Sequence, residues 1–434
     1  MGQKVCFHTL GCKLNFSETS TLAREFCDGG FERVAPSQEA NIHVINSCSV
    51  TETANKKCRN LIHKIARNQP DAIIAVTGCY AQLKPSEIAE IEGVDIVMGN
   101  GDKGSLYSQV ADLISQGKGS EHICKNSELT NFFAAFSSAD RTRSFLKVQD
   151  GCNYHCSYCT IPLARGNSRN IPINEIVAQA KKIASLGQKE IVLTGINTGD
   201  FGRSTGETFF ELIEQLDKVE GIERYRISSI EPNLLSDEII DFCAKSSKFQ
   251  PHFHIPIQSG CDRILALMRR RYDTSVFADR ISKLRAAIPD VFIGIDVIVG
   301  FPSETDDDFQ QTYDFLSELE PSFLHVFPYS VRPNTPASNM EGKVSKAKVD
   351  QRVKCLTQLS DALHDKFLSR YENTQQYVLF ESRSKDNMMF GYTGNYIKVH
   401  TEYNRDMVGR IIKVKLLGDG TKDELKAQFV DENI

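Results

Sequence analysis

A short apolar run, residues 145–149, leads straight into Cys152-Asn153-Tyr154-His155-Cys156-Ser157-Tyr158-Cys159, and the chain behind it repeats a strand-then-helix pattern. Strand patterns at 145–149, 190–194, 225–229, 252–258, 292–299 and 323–328 alternate with amphipathic helical patterns such as 174–186, 208–219 and 304–319. Six β/α units are fewer than the eight of a closed barrel, so a partial, open barrel is expected, reactive at the carboxyl ends of its strands. Three thiolates at CxxxCxxC spacing suit three irons of a 4Fe–4S cube, where ordinary ferredoxin-type clusters take four cysteines. The iron left without a cysteine is an open coordination site, as in catalytic metal centres. It suits the amino and carboxylate groups of S-adenosylmethionine, whose sulfonium bond one electron can then cleave. The alternative is a structural zinc loop completed by His155, which would gain nothing from the β/α core that follows.

The first hundred residues alternate in the same way on a smaller scale. Strand patterns at 4–9, 42–46, 72–77 and 95–98, with helical patterns at 17–27, 52–68 and 85–91, imply an open parallel sheet covered by helices. Cys12, Cys48 and Cys79 each follow one of the first three strands. That edge is where open α/β sheets gather their ligands. Gly11, Ser47 and Gly78 beside them let the backbone approach a bulky inorganic group, although any one of these cysteines alone also suits a buried packing position. Of the thirteen cysteines, Cys6, Cys27, Cys58, Cys124, Cys243, Cys261 and Cys355 are assigned no chemistry.

Residues 100–140 read as a helix and a linker, and 346–372 as one long helix. The tail, 375–430, carries short alternating runs at 377–381, 388–392, 396–400 and 411–417, the pattern of a small antiparallel barrel. The expected fold class is therefore α/β, in three parts: an N-terminal domain over 1–140, a core over 141–372 and a tail domain over 373–434.

Composition excludes some functions. With 41% hydrophobic and 25% charged residues the chain is not disordered by default. No apolar stretch has the length of a membrane span, since 291–301 is broken by Asp296 and two glycines. The first residues pass directly into a strand pattern without a signal peptide's apolar core, so a cytoplasmic protein is expected. Thiols stay reduced there, which disfavours a disulfide framework and favours metal or cluster ligation. The net charge of −5 argues against holding nucleic acid by bulk charge. Two local basic groups remain as candidate RNA surfaces: Lys56, Lys57, Arg59, His63, Lys64 and Arg67 on one helix, and Arg269, Arg270 and Arg271. Either is equally well read as a solvated face.

Several stretches resemble the methylthiotransferase family of radical S-adenosylmethionine enzymes. Thr9-Leu10-Gly11-Cys12-Lys13-Leu14-Asn15, Asn46-Ser47-Cys48-Ser49-Val50-Thr51 and Thr77-Gly78-Cys79-Tyr80-Ala81-Gln82 are similar to its three cluster loops. Asp150-Gly151-Cys152 through Cys159, followed by Thr160-Ile161-Pro162-Leu163-Ala164-Arg165-Gly166, is similar to its radical loop. His254-Ile255-Pro256-Ile257-Gln258-Ser259-Gly260 and Asp296-Val297-Ile298-Val299-Gly300-Phe301-Pro302 match further signatures, and the tail resembles a TRAM domain, an RNA-binding barrel. Ser47 stands where threonine is usual, and Ser303 where glycine is usual.

The resemblance implies two 4Fe–4S clusters, one on Cys152, Cys156 and Cys159 that cleaves S-adenosylmethionine, and an auxiliary one on Cys12, Cys48 and Cys79 that carries or donates sulfur. It implies S-adenosylmethionine contacts from Thr194, Gly195 and Asn197, from Ser229, Glu231 and Gln258, and from the backbone of Val299 and Gly300. The loops look most like the branch that methylthiolates carbon-2 of threonylcarbamoyladenosine beside the anticodon. The implied partners are tRNA through its anticodon stem-loop, an electron donor and a sulfur source, with neither membrane nor DNA. Other readings are a methylthiotransferase for another tRNA adenosine or a ribosomal protein side chain, and a non-catalytic cluster protein that binds RNA.

Overall fold

Two all-buried runs of branched residues, Ile42–Ser47 and Ile73–Gly78, form the centre of a parallel six-stranded sheet. Strands covered on both faces read as continuous apolar runs, and these do. The strand order is Glu32–Val34, Lys4–Thr9, Ile42–Ser47, Ile73–Gly78, Ile96–Met98 and His122–Ile123. The computed structural model describes residues 3–116, 122–123, 129–138, 141–418 and 423–430; Cys124 and part of the expected 100–140 linker lie outside them. Helices Lys13–Asp28 and Glu52–Asn68 are among those that cover the sheet, the second capped by Thr51, whose hydroxyl accepts the Ala54 N–H at 3.2 Å. The two end strands are the ones that periodicity did not pick out: Glu32–Val34 is mostly exposed, and both are too short for a repeat to register.

The β/α series folds into two parallel three-stranded sheets, Arg143–Lys147 with Glu190–Thr194 and Arg224–Ile227, then His252–His254 with Phe292–Val299 and Phe323–Pro328. A bridge between Tyr225 and Phe249 and the Ile230 N–H bonded to the His254 carbonyl at 3.1 Å join them into one open wall. Successive residues face opposite sides of a strand. Leu146, Ile191, Leu193, Tyr225, Ile227, Ile293 and Ile295 pack outward under helices such as Ile173–Ser185 and Phe209–Asp217. Buried Arg143, Lys147, Glu190 and Arg226 occupy the alternate positions, on the concave side. The expected 252–258 strand stops at His254: Pro256 has no N–H to donate, and Gln258 turns to φ +74°.

Helix Lys346–Ser369 leads to a closed five-stranded barrel ordered Gln375–Lys385, Met388–Thr393, Lys398–Glu402, Leu425–Phe429 and Ile411–Leu417. It is antiparallel except where Lys398–Glu402 and Leu425–Phe429 run parallel. The expected 396–400 strand begins at Lys398 instead, because Tyr396 sits at φ +65° in a turn closed by the Ile397 N–H on Thr393 Oγ1 at 2.9 Å. This barrel docks on the amino ends of the wall's strands. Arg143 pairs with Glu381 at 2.9 Å. Arg224 donates to the Tyr377 carbonyl at 2.8 Å and to that of Tyr392 at 3.2 Å. Arg226 donates to the carbonyls of Thr393 at 2.7 Å and Gly394 at 2.6 Å.

A buried ion network joins the first sheet to the wall. Glu18, on the helix that begins beside Cys12, accepts from Lys103, from Lys147 at 2.8 Å and from Arg165 at 3.0 Å. Asp150, just before Cys152, pairs with Lys147 at 2.7 Å, Arg165 at 2.9 Å and Arg169 at 3.1 Å. Arg165, on the short helix Ile161–Arg165 after Cys159, also donates to Asn15 Oδ1 at 2.6 Å. Burial alone would raise the pKa of Glu18, but Arg165, Lys103 and Lys147 outweigh it and hold the carboxyl well below its usual range. Asp150 is held down in the same way by Lys147, Arg165 and Arg169.

Removing one partner from such a set leaves buried charge uncompensated, at a cost of about 3–5 kcal/mol. Glu18→Gln should therefore destabilise the protein by about 3 kcal/mol near neutral pH. A depressed carboxyl contributes stability above its unfolded pKa and loses it as the pH falls through the folded value. The gap between parent and variant should thus close progressively below about pH 4, read from thermal melts of both proteins across that range.

Candidate active site

The three dispersed cysteines come together at the carboxyl ends of adjacent strands. Cys12 is the extended N-cap of helix Lys13–Asp28, Cys48 follows Ile42–Ser47, and Cys79 opens the short helix Cys79–Leu83. Their loops interlock through missing side chains. A Cβ on Gly11, at φ +98°, would lie 2.6 Å from Cys48 Cβ and 2.7 Å from its Sγ. A Cβ on Gly78, at φ +99°, would lie 2.4 Å from the Ser47 carbonyl oxygen. Asn15 ties the first loop to the second by donating to the carbonyls of Leu10 at 2.8 Å and Ser47 at 2.9 Å. Ser47 Oγ ties the second to the third through the Thr77 carbonyl at 2.5 Å. Burial pushes the Cys12 thiol up, against Arg165. Burial, with Cys79 adding to it, brings Cys48 to about 11.

The second trio occupies one loop. Gly151, at φ +71°, packs so closely that a Cβ would meet the Asn167 carbonyl oxygen at 2.0 Å, and its N–H is held by Asp150 Oδ1 at 2.9 Å. Each sulfur then has a donor: the Tyr154 N–H on Cys152 at 3.3 Å, Arg270 Nη1 on Cys156 at 3.1 Å, and the Ile161 N–H on Cys159 at 3.4 Å. Such donors favour thiolates. Burial nonetheless pushes Cys152 up to about 11 and Cys159 to about 12, so iron must displace their protons to bind.

The donor chemistry, three free thiols in each set, fits clusters. Around one zinc, sulfurs stand about 3.8 Å apart, but among the described residues neither trio closes to mutual distances within 4.8 Å. A four-iron cube, holding each thiolate at a different corner, needs that wider spread. His155 is exposed and does not complete a closer set.

The residues assigned to S-adenosylmethionine gather at the carboxyl ends of the wall. Asn197 is buried, its Oδ1 accepting the Glu231 N–H at 3.3 Å while its Nδ2 has no partner, a donor left for a ligand. Thr194 is buried with its hydroxyl on the Val192 carbonyl at 3.0 Å, and Gly195 packs against Gln149. Ser229 is half-buried, its carbonyl accepting from Thr198. Glu231 is paired with Arg270, the arginine that donates to Cys156, and burial raises its pKa against that pairing. Gln258 bridges to Val297. The Val299 carbonyl is taken by the Tyr329 N–H at 2.8 Å and the Gly300 N–H by Glu304 at 2.6 Å. Ser303, where the family pattern has glycine, keeps a glycine-like φ of +66°.

Sequence reasoning missed Gln149, whose Oε1 accepts the N–H groups of Ile196 and Asn197, each at 3.0 Å, while its Nε2 donates to the Gly151 carbonyl at 2.7 Å. It thereby locks the turn carrying Asn197 to the cysteine loop. The period-two pattern of Arg143, Phe145, Lys147 and Gln149 was the available signal. Of the group Arg269–Arg271, Arg269 and Arg271 are exposed, the latter 4.0 Å from the Tyr154 ring centre, whereas the Arg270 side chain is buried against Glu231. Lys56, Lys57, Lys64 and Arg67 do face solvent, while Arg59 pairs with Glu52 and Glu87.

Between the first sheet, the wall and the barrel lies a cavity of about 630 Å³. Cys12 and Lys13 line it from one side, Arg143, Arg226 and His252 from the wall, and Tyr392 and Tyr396 form its floor.

The Radical SAM superfamily model matches residues 146–316, and the model described as Uncharacterized protein family UPF0004 matches residues 4–99. The chain is 44% identical to the threonylcarbamoyladenosine tRNA methylthiotransferase MtaB of Bacillus subtilis, over 96% of this chain and 94% of that one. It is 36% identical to MtaB of Aquifex aeolicus, over 95% and 99%. A tRNA-2-methylthio-N(6)-dimethylallyladenosine synthase of Hydrogenobaculum is 30% identical over 96% and 97%. Among solved structures, the radical S-adenosylmethionine methyltransferase TsrM of Kitasatospora setae superposes with a TM-score of 0.57 at 15% identity, over 78% and 77% of the two chains. The cobalamin-dependent radical enzyme OxsB gives 0.53 at 14%, over 84% and 56%.

Because Gly78 has no room for a methyl group, Gly78→Ala should part the second and third loops. Anaerobically reconstituted protein should then lose roughly half of about eight irons while keeping 5′-deoxyadenosine formation, as iron assay and chromatography would show. Full iron in the variant would mean the loops tolerate separation.

Proposed function

The chain belongs to the methylthiotransferase family of radical S-adenosylmethionine enzymes, and from that premise we propose that it adds a methylthio group to carbon-2 of threonylcarbamoyladenosine at position 37 of tRNA. The reading rests chiefly on one observation: two cysteine trios, on separate sheets, are locked together by the Glu18–Arg165–Asp150 network. Identity supports the nucleoside, at 44% to MtaB against 30% to a dimethylallyladenosine synthase. The family implies one 4Fe–4S cluster with S-adenosylmethionine, and the fit of the Cys12, Cys48 and Cys79 loops supports a second cluster as the sulfur carrier.

When bound, cluster and S-adenosylmethionine supply one-electron cleavage of the sulfonium bond, which carbon-2, an unactivated position, requires. Cys152, Cys156 and Cys159 would hold that cluster. Arg270 donates to Cys156 and is itself held by Glu231, fixing charge beside the sulfur. Asn197 offers its unpartnered amide to the methionine end, with Thr194, Gly195, Ser229 and Gln258 shaping the rest of that subsite and Val299 and Gly300 its far wall. The cavity beside Cys12 has room for the splayed base. An unpaired loop base loses only its stacking on entry. The tail barrel contributes as a TRAM-like RNA-binding domain, in a cytoplasmic protein that takes electrons from a reductant and sulfur from a donor.

Replacing Cys12, Cys48 and Cys79 together by alanine should leave formation of 5′-deoxyadenosine under reducing conditions but yield no methylthiolated nucleoside. Replacing Cys152, Cys156 and Cys159 should abolish 5′-deoxyadenosine itself. Mass analysis of tRNA nucleosides from cells lacking and regaining the protein tests the whole reading. Reappearance of a methylthio group on a different nucleoside would sink the assignment.

A further inference from the structure

The cavity beside Cys12 is cationic throughout. Its lining includes Lys13, Arg33, Arg141, Arg143 and Arg226, and no aspartate or glutamate. The two arginines of the wall are already committed: Arg143 to Glu381 and Arg226 to Glu190 at 2.7 Å and two tail carbonyls. Lys13 differs. Among the described residues its side chain has no hydrogen-bond or ion-pair partner, and it is exposed where it lines the cavity next to Cys12. The charges that reach it are those of Tyr396, Arg143, Arg226 and Asp296, and Asp296 is itself bonded to His254 at 2.8 Å. An unpaired ammonium among other cations, in a cavity whose lining holds no carboxylate, is a site for an anion.

The chemistry of the site narrows that anion. The carboxylate of S-adenosylmethionine belongs with Cys152, Cys156 and Cys159, none of which lines this cavity, whereas Cys12 does. About 630 Å³ suits one small organic group. Threonylcarbamoyladenosine carries such a group, a carboxylate on its N6 chain. Carbon-2 and the N6 position flank the same ring nitrogen, so a base presenting carbon-2 to the loop at Cys12 directs that chain past the neighbouring Lys13.

We propose that Lys13 is a specificity-determining residue, its ammonium receiving the threonyl carboxylate of the substrate nucleoside inside this cavity. The inference rests on the nucleoside assigned above. Arg143, Arg226 and the hydroxyl of Tyr396, which lies 3.4 Å from Arg143 Nη1, form the polar background deeper in.

The test uses the full-length, iron-loaded enzyme and two anticodon stem-loop RNAs, one carrying threonylcarbamoyladenosine and one its threonyl methyl ester. The parent should bind the acid about tenfold or more tightly than the ester, the worth of one charge-assisted hydrogen bond, and the difference in methylthiolation should fall on KM. Lys13→Gln should erase the acid-to-ester ratio, and Lys13→Arg should retain most of it. The iron content of each variant reports whether the Cys12 loop is intact. If Lys13→Gln loses iron, the parent's ratio and that of Lys13→Arg decide. A parent that binds acid and ester alike, or an iron-replete Lys13→Gln that keeps the parent's ratio, overturns the proposal. A parent that makes no product from either RNA removes the nucleoside assignment and this inference with it. Failure of the ratio alone leaves the assignment standing.

Discussion

Everything chemical in this molecule depends on Arg165. Its guanidinium reaches Glu18 and Asn15 on the helix beside Cys12, and Asp150 at the mouth of the Cys152 loop. The two cysteine trios sit on sheets that share no strand, so among the described residues no backbone ladder sets the distance between them. The side-chain charges do. Burial of this kind is a poor source of net stability, yet it fixes geometry, because a carboxylate facing three cations has one arrangement in which all are satisfied. Sulfur transfer to a radical-activated carbon needs that fixed geometry more than it needs stability.

Much of this was legible in the residues. The six β/α units, the cysteine loop and the convergence of Cys12, Cys48 and Cys79 follow from strand periodicity and from the rule that ligands collect at carboxyl edges. Strand ends were less legible where proline or a left-handed residue interrupts an apolar run, as at Pro256 and Tyr396. Long-range polar partnerships were not legible at all. Arg270 reads as one of three surface arginines, and only the fold shows it buried between Glu231 and Cys156. Glu18 and Asp150 are separated by more than a hundred residues, and no local pattern marks a carboxylate whose partners lie in another sheet.

The cavity gathers cations from several parts of one scaffold. Its walls come from three regions of the chain, and its cations are graded from the committed Arg143 and Arg226 to the free Lys13. Tyr392 and Tyr396 add rings to the lining without adding a carboxylate that would compete for the lysine.

The way the barrel docks has a consequence for how such proteins diversify. Arg224 and Arg226 grip it through four main-chain carbonyls, those of Tyr377, Tyr392, Thr393 and Gly394. A carbonyl is present whatever side chain the residue carries, so this latch is indifferent to most substitutions in the tail. The outward face of the barrel can therefore drift while its seating on the wall stays the same. Attachment and recognition are thus free to evolve on separate schedules.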